Sequence, residues 1–148
     1  MRVVLQRVSR ASVTVDGAPV SGIGAGLLLL VGVGQDDSQD EPRRLADKIA
    51  TLRIFSDAAG KMNLALADVG GEVLVVSQFT LYGDVRGGRR PSWTRAAEPG
   101  IAAERVEELA TSLEARGLVV RRGVFGAHME VELLNDGPVT LILDAADR

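Results

Sequence analysis

The segment Ser77-Gln78-Phe79-Thr80-Leu81-Tyr82 gathers the hydroxyl and amide groups best placed for chemistry. It ends the most β-rich run of the chain, residues 72 to 79, and leads into a glycine-rich loop from Gly83 to Pro91. A strand that stops abruptly in polar residues leaves N–H groups and hydroxyls facing solvent or a ligand. The same residues can also simply satisfy local backbone groups at a strand end. As a nucleophile, Ser77 or Thr80 needs a base. The one imidazole, His128, alternates out of phase with Met129, Val131 and Leu133 and shares a solvated face with Glu130 and Glu132. A Ser-His-Asp mechanism is therefore disfavoured. The chain has no cysteine, which excludes thiol catalysis, disulfides, Cys-zinc sites and iron–sulfur clusters. No metal or cofactor is expected.

Between Gly83 and Arg95, Arg86, Arg89, Arg90 and Arg95 face a single acid, Asp84, with Trp93 beside them. Arginine binds phosphate in bidentate fashion and stacks on bases, so this basic island suits nucleic acid as well as plain solvation. The net charge of −3 argues against coating nucleic acid by bulk charge. A last feature is Asn135-Asp136-Gly137-Pro138-Val139-Thr140, which reads as a turn between two strands. Residue types alone do not specify a cis bond before Pro138.

These residues need a scaffold of modest size. The 148 residues, 46% of them apolar, suit one domain with a real core and exclude wholesale disorder. The longest apolar stretch, residues 26 to 33, is far short of the ~20 residues that span a bilayer. The opening residues, Met1 to Val8, are too briefly apolar for a signal peptide. A cytoplasmic protein with no membrane partner is expected. Val-rich runs predict strands over residues 2–8 and 12–15, with Asp16-Gly17 as a hairpin signal. Residues 27–33 lack alternation and read as a strand buried on both faces. Leu45, Ile49 and Leu52 behind Asp40-Glu41-Pro42 predict a helix. Ala102, Val106, Leu109, Ala110 and Leu113 predict a second, with Gly117 capping its end. Further strands are predicted at 53–55, 72–79, 118–122, 129–134 and 139–143. The fold class is mixed α/β, with a mostly antiparallel, barrel-like sheet and two main helices in one domain, 1–148. No Gly-x-Gly-x-x-Gly or phosphate-loop lysine motif is present.

Taken together, the segments resemble the D-aminoacyl-tRNA deacylase family, of the D-tyrosyl-tRNA deacylase type, over essentially the whole chain. The resemblance is carried by Leu5-Gln-Arg-Val8, Ala11-Ser-Val-Thr-Val15, Arg53-Ile-Phe-Ser-Asp57 and Gly60-Lys-Met-Asn-Leu64. It continues through Ser77-Gln-Phe-Thr-Leu81, Arg90-Pro-Ser-Trp93 and Asn135-Asp-Gly-Pro-Val-Thr140. It implies a homodimer that hydrolyses the ester between a D-amino acid, or glycine, and the 3′-terminal adenosine of tRNA. Ser77, Gln78, Phe79 and Thr80 would bind the aminoacyl group and carry the reaction. Gly137 and Pro138, cis in the family, would reach in trans into the partner's site and reject L substrates. Phe125 and Met129 match the adenosine pocket. Contacts to tRNA by Arg86, Arg89 and Arg90 are inferred from the basic loop rather than from the resemblance. Two other readings stand beside it: a non-catalytic tRNA-binding module, and a serine esterase using Ser77, which the missing Gly-x-Ser-x-Gly elbow weakens.

Overall fold

The computed structural model describes residues 1–147. Its elements run β1 (Arg2–Val15), β2 (Ala18–Ile23), β3 (Gly26–Gly32), α1 (Glu41–Thr51), β4 (Phe55–Ser56), β5 (Met62–Leu64), β6 (Glu72–Ser77), α2 (Pro99–Glu114), β7 (Val119–Arg122) and β8 (Glu130–Asp144). Eight strands and two α-helices agree with the mixed class read from the sequence. Strand order is β2-β1-β3-β6-β7, with β8 on the other side of β1. β1 pairs antiparallel with β2, β3 and β8, whereas β3–β6 and β6–β7 are parallel. The parallel pairs are those whose connections contain α1 and α2, since a parallel return needs a long crossover. The Ser21 hydroxyl donates to the Arg122 carbonyl at 2.7 Å, so β2 curls round to β7 and nearly closes a barrel.

The apolar residues fall on both sides of β3 and β6. On one side Val3, Leu27, Leu29 and Val75 meet Leu45 and Ile49 of α1 and Leu109 and Leu113 of α2. On the other, Leu28, Leu74 and Val76 are covered by Val8, Val13 and Ile23, with Met129, Val131 and Leu133 of the last strand region. This explains the absence of alternation in residues 27–33. α1 starts with Glu41 and Pro42 in its first turn, as expected of an acidic, proline-bearing helix start.

Four boundaries differ from expectation. β1 is one continuous strand rather than two, because Ser9 and Arg10 fall at an irregular register instead of a break. Strand character near residue 54 reduces to Phe55–Ser56, paired with Leu64 and Met62. β6 stops at Ser77, and Phe79–Tyr82 form a 3₁₀ turn. The expected turn at Asn135–Pro138 is instead a bulge inside one strand, β8. Val8 pairs with Asn135 and Gln6 with Thr140, so residues 136–139 stand opposite Arg7 alone.

Candidate active site

β6 ends in Ser77, and the chain then turns sharply through Gln78 into the 3₁₀ turn. The Gln78 N–H still donates to the Val31 carbonyl at 2.7 Å, which ties the turn to the sheet end. The N–H groups of Phe79 and Thr80 open that turn, where no intrahelical acceptor is available to them. Leu81 N–H returns to the Gln78 carbonyl at 3.2 Å, and Gly83 N–H to that of Thr80 at 2.9 Å. On the side chains, Gln78 Nε2 donates to Thr80 Oγ1, so the Thr80 hydroxyl is oriented by an amide rather than deprotonated by a base. His128 is exposed and outside the cleft described below. Ser77 therefore has no imidazole with which to form a nucleophile pair.

The turn is held from beneath. Arg2 Nη1 donates to the Leu81 carbonyl at 3.0 Å, while its Nε and Nη2 bind Asp144 at 2.9 and 2.8 Å. Its guanidinium also lies 5.3 Å from the Tyr82 ring centroid. Burial opposes ionisation of Asp144, but the Ala146 N–H and the Arg2 guanidinium outweigh it, and the carboxyl stays below its usual range. Burial, reinforced by Asp37 and Asp144, pushes the Tyr82 phenol well above its ordinary value, so it remains a neutral donor toward Asp37.

Beside the turn lies a cleft of about 440 Å³. Ser77 and Phe79 form one wall, Trp93 and Thr94 the loop side, and Ala102 and Val106 of α2 the far wall; Phe125 and Gly126 sit at its mouth. Phe79 and Trp93 pack edge to face, with centroids 5.2 Å apart. An added Cβ on Gly83 would come within 2.7 Å of the Trp93 ring, so glycine is what lets the indole close down there. Phe79, Trp93 and Phe125 remain 55%, 41% and 43% exposed, an unusual concentration of uncovered aromatic surface. Met129 lies behind this mouth: its sulfur accepts from Val124 N–H at 3.4 Å and packs on Gly123, shaping the loop that presents Phe125.

The remaining expected residues lie elsewhere. Arg86 is bound to Asp84 through its backbone N–H at 3.0 Å and its Nε at 2.9 Å, which draws the Asp84 carboxyl far below its ordinary range. Arg89 and Arg90 are exposed at the loop tip, and among the described residues neither makes an ion pair. Gly137-Pro138 is a cis peptide within the β8 bulge. Asn135 Nδ2 spans the bulge to the Arg7 and Val139 carbonyls at 2.9 and 3.0 Å. The buried Arg7 side chain donates to the Asp136 carbonyl at 3.1 Å and the Ile54 carbonyl at 2.5 Å. Neither Gly137 nor Pro138 lines the cleft of its own chain. Arg7 pairs with Leu27 and Leu27 with Val73, whereas Ser77 pairs with Val31. Three strand spacings and four residue steps thus separate the bulge from Ser77, about 15–20 Å.

Sequence reasoning missed Gln35, Glu98 and Pro99 as cleft residues. They arrive through the Gly34–Ala96 bridge, a long-range pairing with no periodic signature. Among the described residues no cluster of acidic, His or Cys side chains suits a metal, and no helix is long and apolar enough to cross a membrane.

Comparison with known proteins places this architecture. The family of D-Tyr-tRNA(Tyr) deacylases matches residues 4–144. A D-aminoacyl-tRNA deacylase of Thermomicrobium roseum is 62% identical over 147 residues, covering 99% of this chain and 96% of that one. One from Chloroflexus aurantiacus is 60% identical, covering 99% and 92%. Among solved structures, the c-Myc DNA unwinding element binding protein superposes with TM-score 0.90 at 39% identity, covering 97% of this chain and 98% of that one. A structure described as a probable eukaryotic D-amino acid tRNA deacylase shares the fold, with TM-score 0.82 at 18% identity over 96% and 97%. With a family match across nearly its whole length and relatives at this identity, the chain belongs to the D-Tyr-tRNA(Tyr) deacylase family.

Proposed function

We propose that the chain hydrolyses the ester joining a D-amino acid, or glycine, to the 3′-terminal adenosine of tRNA, and that it does so as a homodimer. The observation that carries this reading is the meeting of Ser77 and Phe79 of the turn with the exposed Trp93 and Phe125 rings at one cleft, in a chain of this family. The cleft volume falls in the ~300–1,000 Å³ range of small-molecule sites. Water attacks the ester carbonyl, the bond to the ribose 3′ oxygen breaks, and that oxygen leaves with a proton as the 3′-hydroxyl. The N–H groups of Phe79 and Thr80 are the donors for the transient oxyanion. The vicinal ribose 2′-OH orients or activates the water, so the reaction needs neither an imidazole nor a thiol. Phe125, with Met129 behind it, offers the surface for the adenine ring, and Arg89 and Arg90 face the body of the tRNA.

Selection for chirality belongs, in this reading, to the Gly137 and Pro138 carbonyls. Aimed at the substrate α-carbon, they leave room for hydrogen and not for an L side chain; glycine passes because it has none. Because the bulge lies far from its own chain's turn, it serves the cleft of a second copy. A sheet face bearing Ile142, 68% exposed, is available to that copy. The test is deacylation of one tRNA charged with D-tyrosine, L-tyrosine or glycine, with and without EDTA. Loss of the D and glycyl esters, insensitive to EDTA and with the L ester intact, is expected. Equal loss of D and L esters would remove the filter from the account.

A second expectation concerns Thr80. Since its hydroxyl accepts from Gln78 and lacks a base, Thr80→Ala should retain turnover within about tenfold of wild type, the loss of one orienting hydrogen bond. An acyl-Thr80 species trapped by mass spectrometry would instead make it a nucleophile. The alternative of a non-catalytic nucleic-acid-binding module draws on the 39%-identical structure, whose name describes a DNA-binding protein. It predicts salt-dependent retention of tRNA with every ester intact.

A further inference from the structure

A second cleft, of about 360 Å³, adjoins the first. Gln35 lines both, and Thr94 and Ala96 of the first flank Arg95 of the second. The ridge between them is the Gly34–Ala96 bridge, closed by the Gln35 N–H donating to the Arg95 carbonyl at 3.1 Å. Most charges in this second cleft are already matched. Arg2 is bound to Asp144, and both Asp37 and Glu41 bind the Met1 amino group, at 2.5 and 2.8 Å. Asp37 also accepts from Gly34 N–H at 2.5 Å. Two charged groups are left over, Asp36 and Arg95; both are exposed, and Arg95 makes no ion pair among the described residues. Asp84 attracts Arg95 from beyond ion-pair distance, but its oxygens are already held by Arg86.

The opposite flank of the active cleft provides the comparison. There a smaller cavity shares Ser77, Val106 and Phe125 with it and contains one cation, Arg122. That guanidinium is locked on both sides, by Glu107 at 2.9 Å and Glu114 at 2.8 Å. A polyanion leaving the active cleft therefore meets a neutralised arginine on one side and an uncommitted one on the other. The anchored backbone at Arg95 also lowers the cost of fixing its side chain against a phosphate.

We infer that the Arg95 cleft carries the nucleotides preceding the terminal adenosine, with the Arg95 guanidinium holding a backbone phosphate and the Gln35 amide at the junction. The inference rests on the deacylase reading and adds to it the direction in which the substrate strand leaves. Two substrates separate its terms: D-tyrosyl-tRNA, and D-tyrosyl-adenosine, which has the same ester and no phosphate. Arg95→Gln is expected to raise KM for the tRNA ester about tenfold, the effect of losing one charged hydrogen bond. The slope of log kcat/KM against log salt should flatten by about 0.7, one single-strand phosphate contact. Its kcat/KM for the adenosine ester should match wild type, and Arg95→Lys should restore the salt slope. Arg86→Gln, whose cation is already spent on Asp84, should move KM much less. An Arg95→Gln enzyme with unchanged KM and slope for tRNA, or one impaired equally on both esters, would overturn the inference. A wild-type enzyme that cleaves neither ester would instead bring down the deacylase reading itself.

Discussion

Replacing Gly137 by alanine should lower D-tyrosyl-tRNA turnover by about 100-fold, the scale of a 1 Å misplacement of a positioning group. The reason is local. Gly137 has φ 132, a backbone region that L side chains rarely adopt. A Cβ there would stand 2.8 Å from Val139 Cγ2, 3.0 Å from Val139 N and 3.1 Å from Arg7 Nη2. None of these can retreat easily. Arg7 is held between the Ile54 and Asp136 carbonyls, and the Val139 carbonyl is held by Asn135. The bulge must therefore move as a unit, and the Gly137 and Pro138 carbonyls with it. Single-turnover deacylation of D- and L-tyrosyl-tRNA reads the outcome. Slow D cleavage together with a narrowed D-over-L preference is expected, whereas wild-type rates with full L rejection would free the bulge of any part in selection. The native circular dichroism spectrum should persist, since Gly137 itself is exposed and only Val139 of the bulge reaches an apolar core, at its margin.

How much of this was readable in the chain depended on whether the deciding contact was local. The α1 start at Glu41-Pro42 and the stripe on α2 are set by neighbours in sequence, and the two-sided burial of residues 27–33 is marked by its unbroken apolar run; all three appear as expected. Ala18-Pro19-Val20-Ser21-Gly22-Ile23 has weak strand character of its own; pairing with β1 and the Ser21 contact to β7 make it the strand β2. Asn135-Asp136-Gly137-Pro138 illustrates a different limit. Turn-forming residues signal a local departure from extended backbone, and that signal is the same whether the chain reverses or merely bulges. Here the partner strand runs on past both Ser9-Arg10 and the bulge, so β1 and β8 remain single strands. In the site, Ser77, Phe79 and Phe125 line one cleft. Which arginine of the basic loop is paired does not emerge from composition. Four cations facing one acid leave the pairing open, and only the fold of the loop assigns Asp84 to Arg86.

The largest effect on chemistry should come from the backbone at Phe79. If its N–H stabilises the oxyanion, the group to remove is an amide hydrogen, which side-chain truncation cannot reach. Phe79→Pro removes it at a position where proline is tolerable: Phe79 begins the 3₁₀ turn, its N–H has no intrahelical acceptor, and Gln78 before it, with φ −144 and ψ 74, lies outside the α region that a following proline disfavours. Phe79→Ala keeps the N–H and loses the same ring and its edge contact with Trp93. The comparison of the two isolates the donor. Phe79→Ala should chiefly raise KM, whereas Phe79→Pro should lose a further ~100–1,000-fold in kcat, the usual consequence of deleting one oxyanion donor. Equal kcat for the two variants would show that the donor lies elsewhere. The proline variant also tests assembly. If a cleft is completed by the bulge of a second copy, mixing Phe79→Pro with Gly137→Ala subunits yields heterodimers in which one of the two clefts has both an intact turn and an intact bulge. Equal mixing with free exchange should then restore about a quarter of wild-type activity. If turn and bulge of the same chain serve one cleft, every site in the mixture carries a defect and no activity returns.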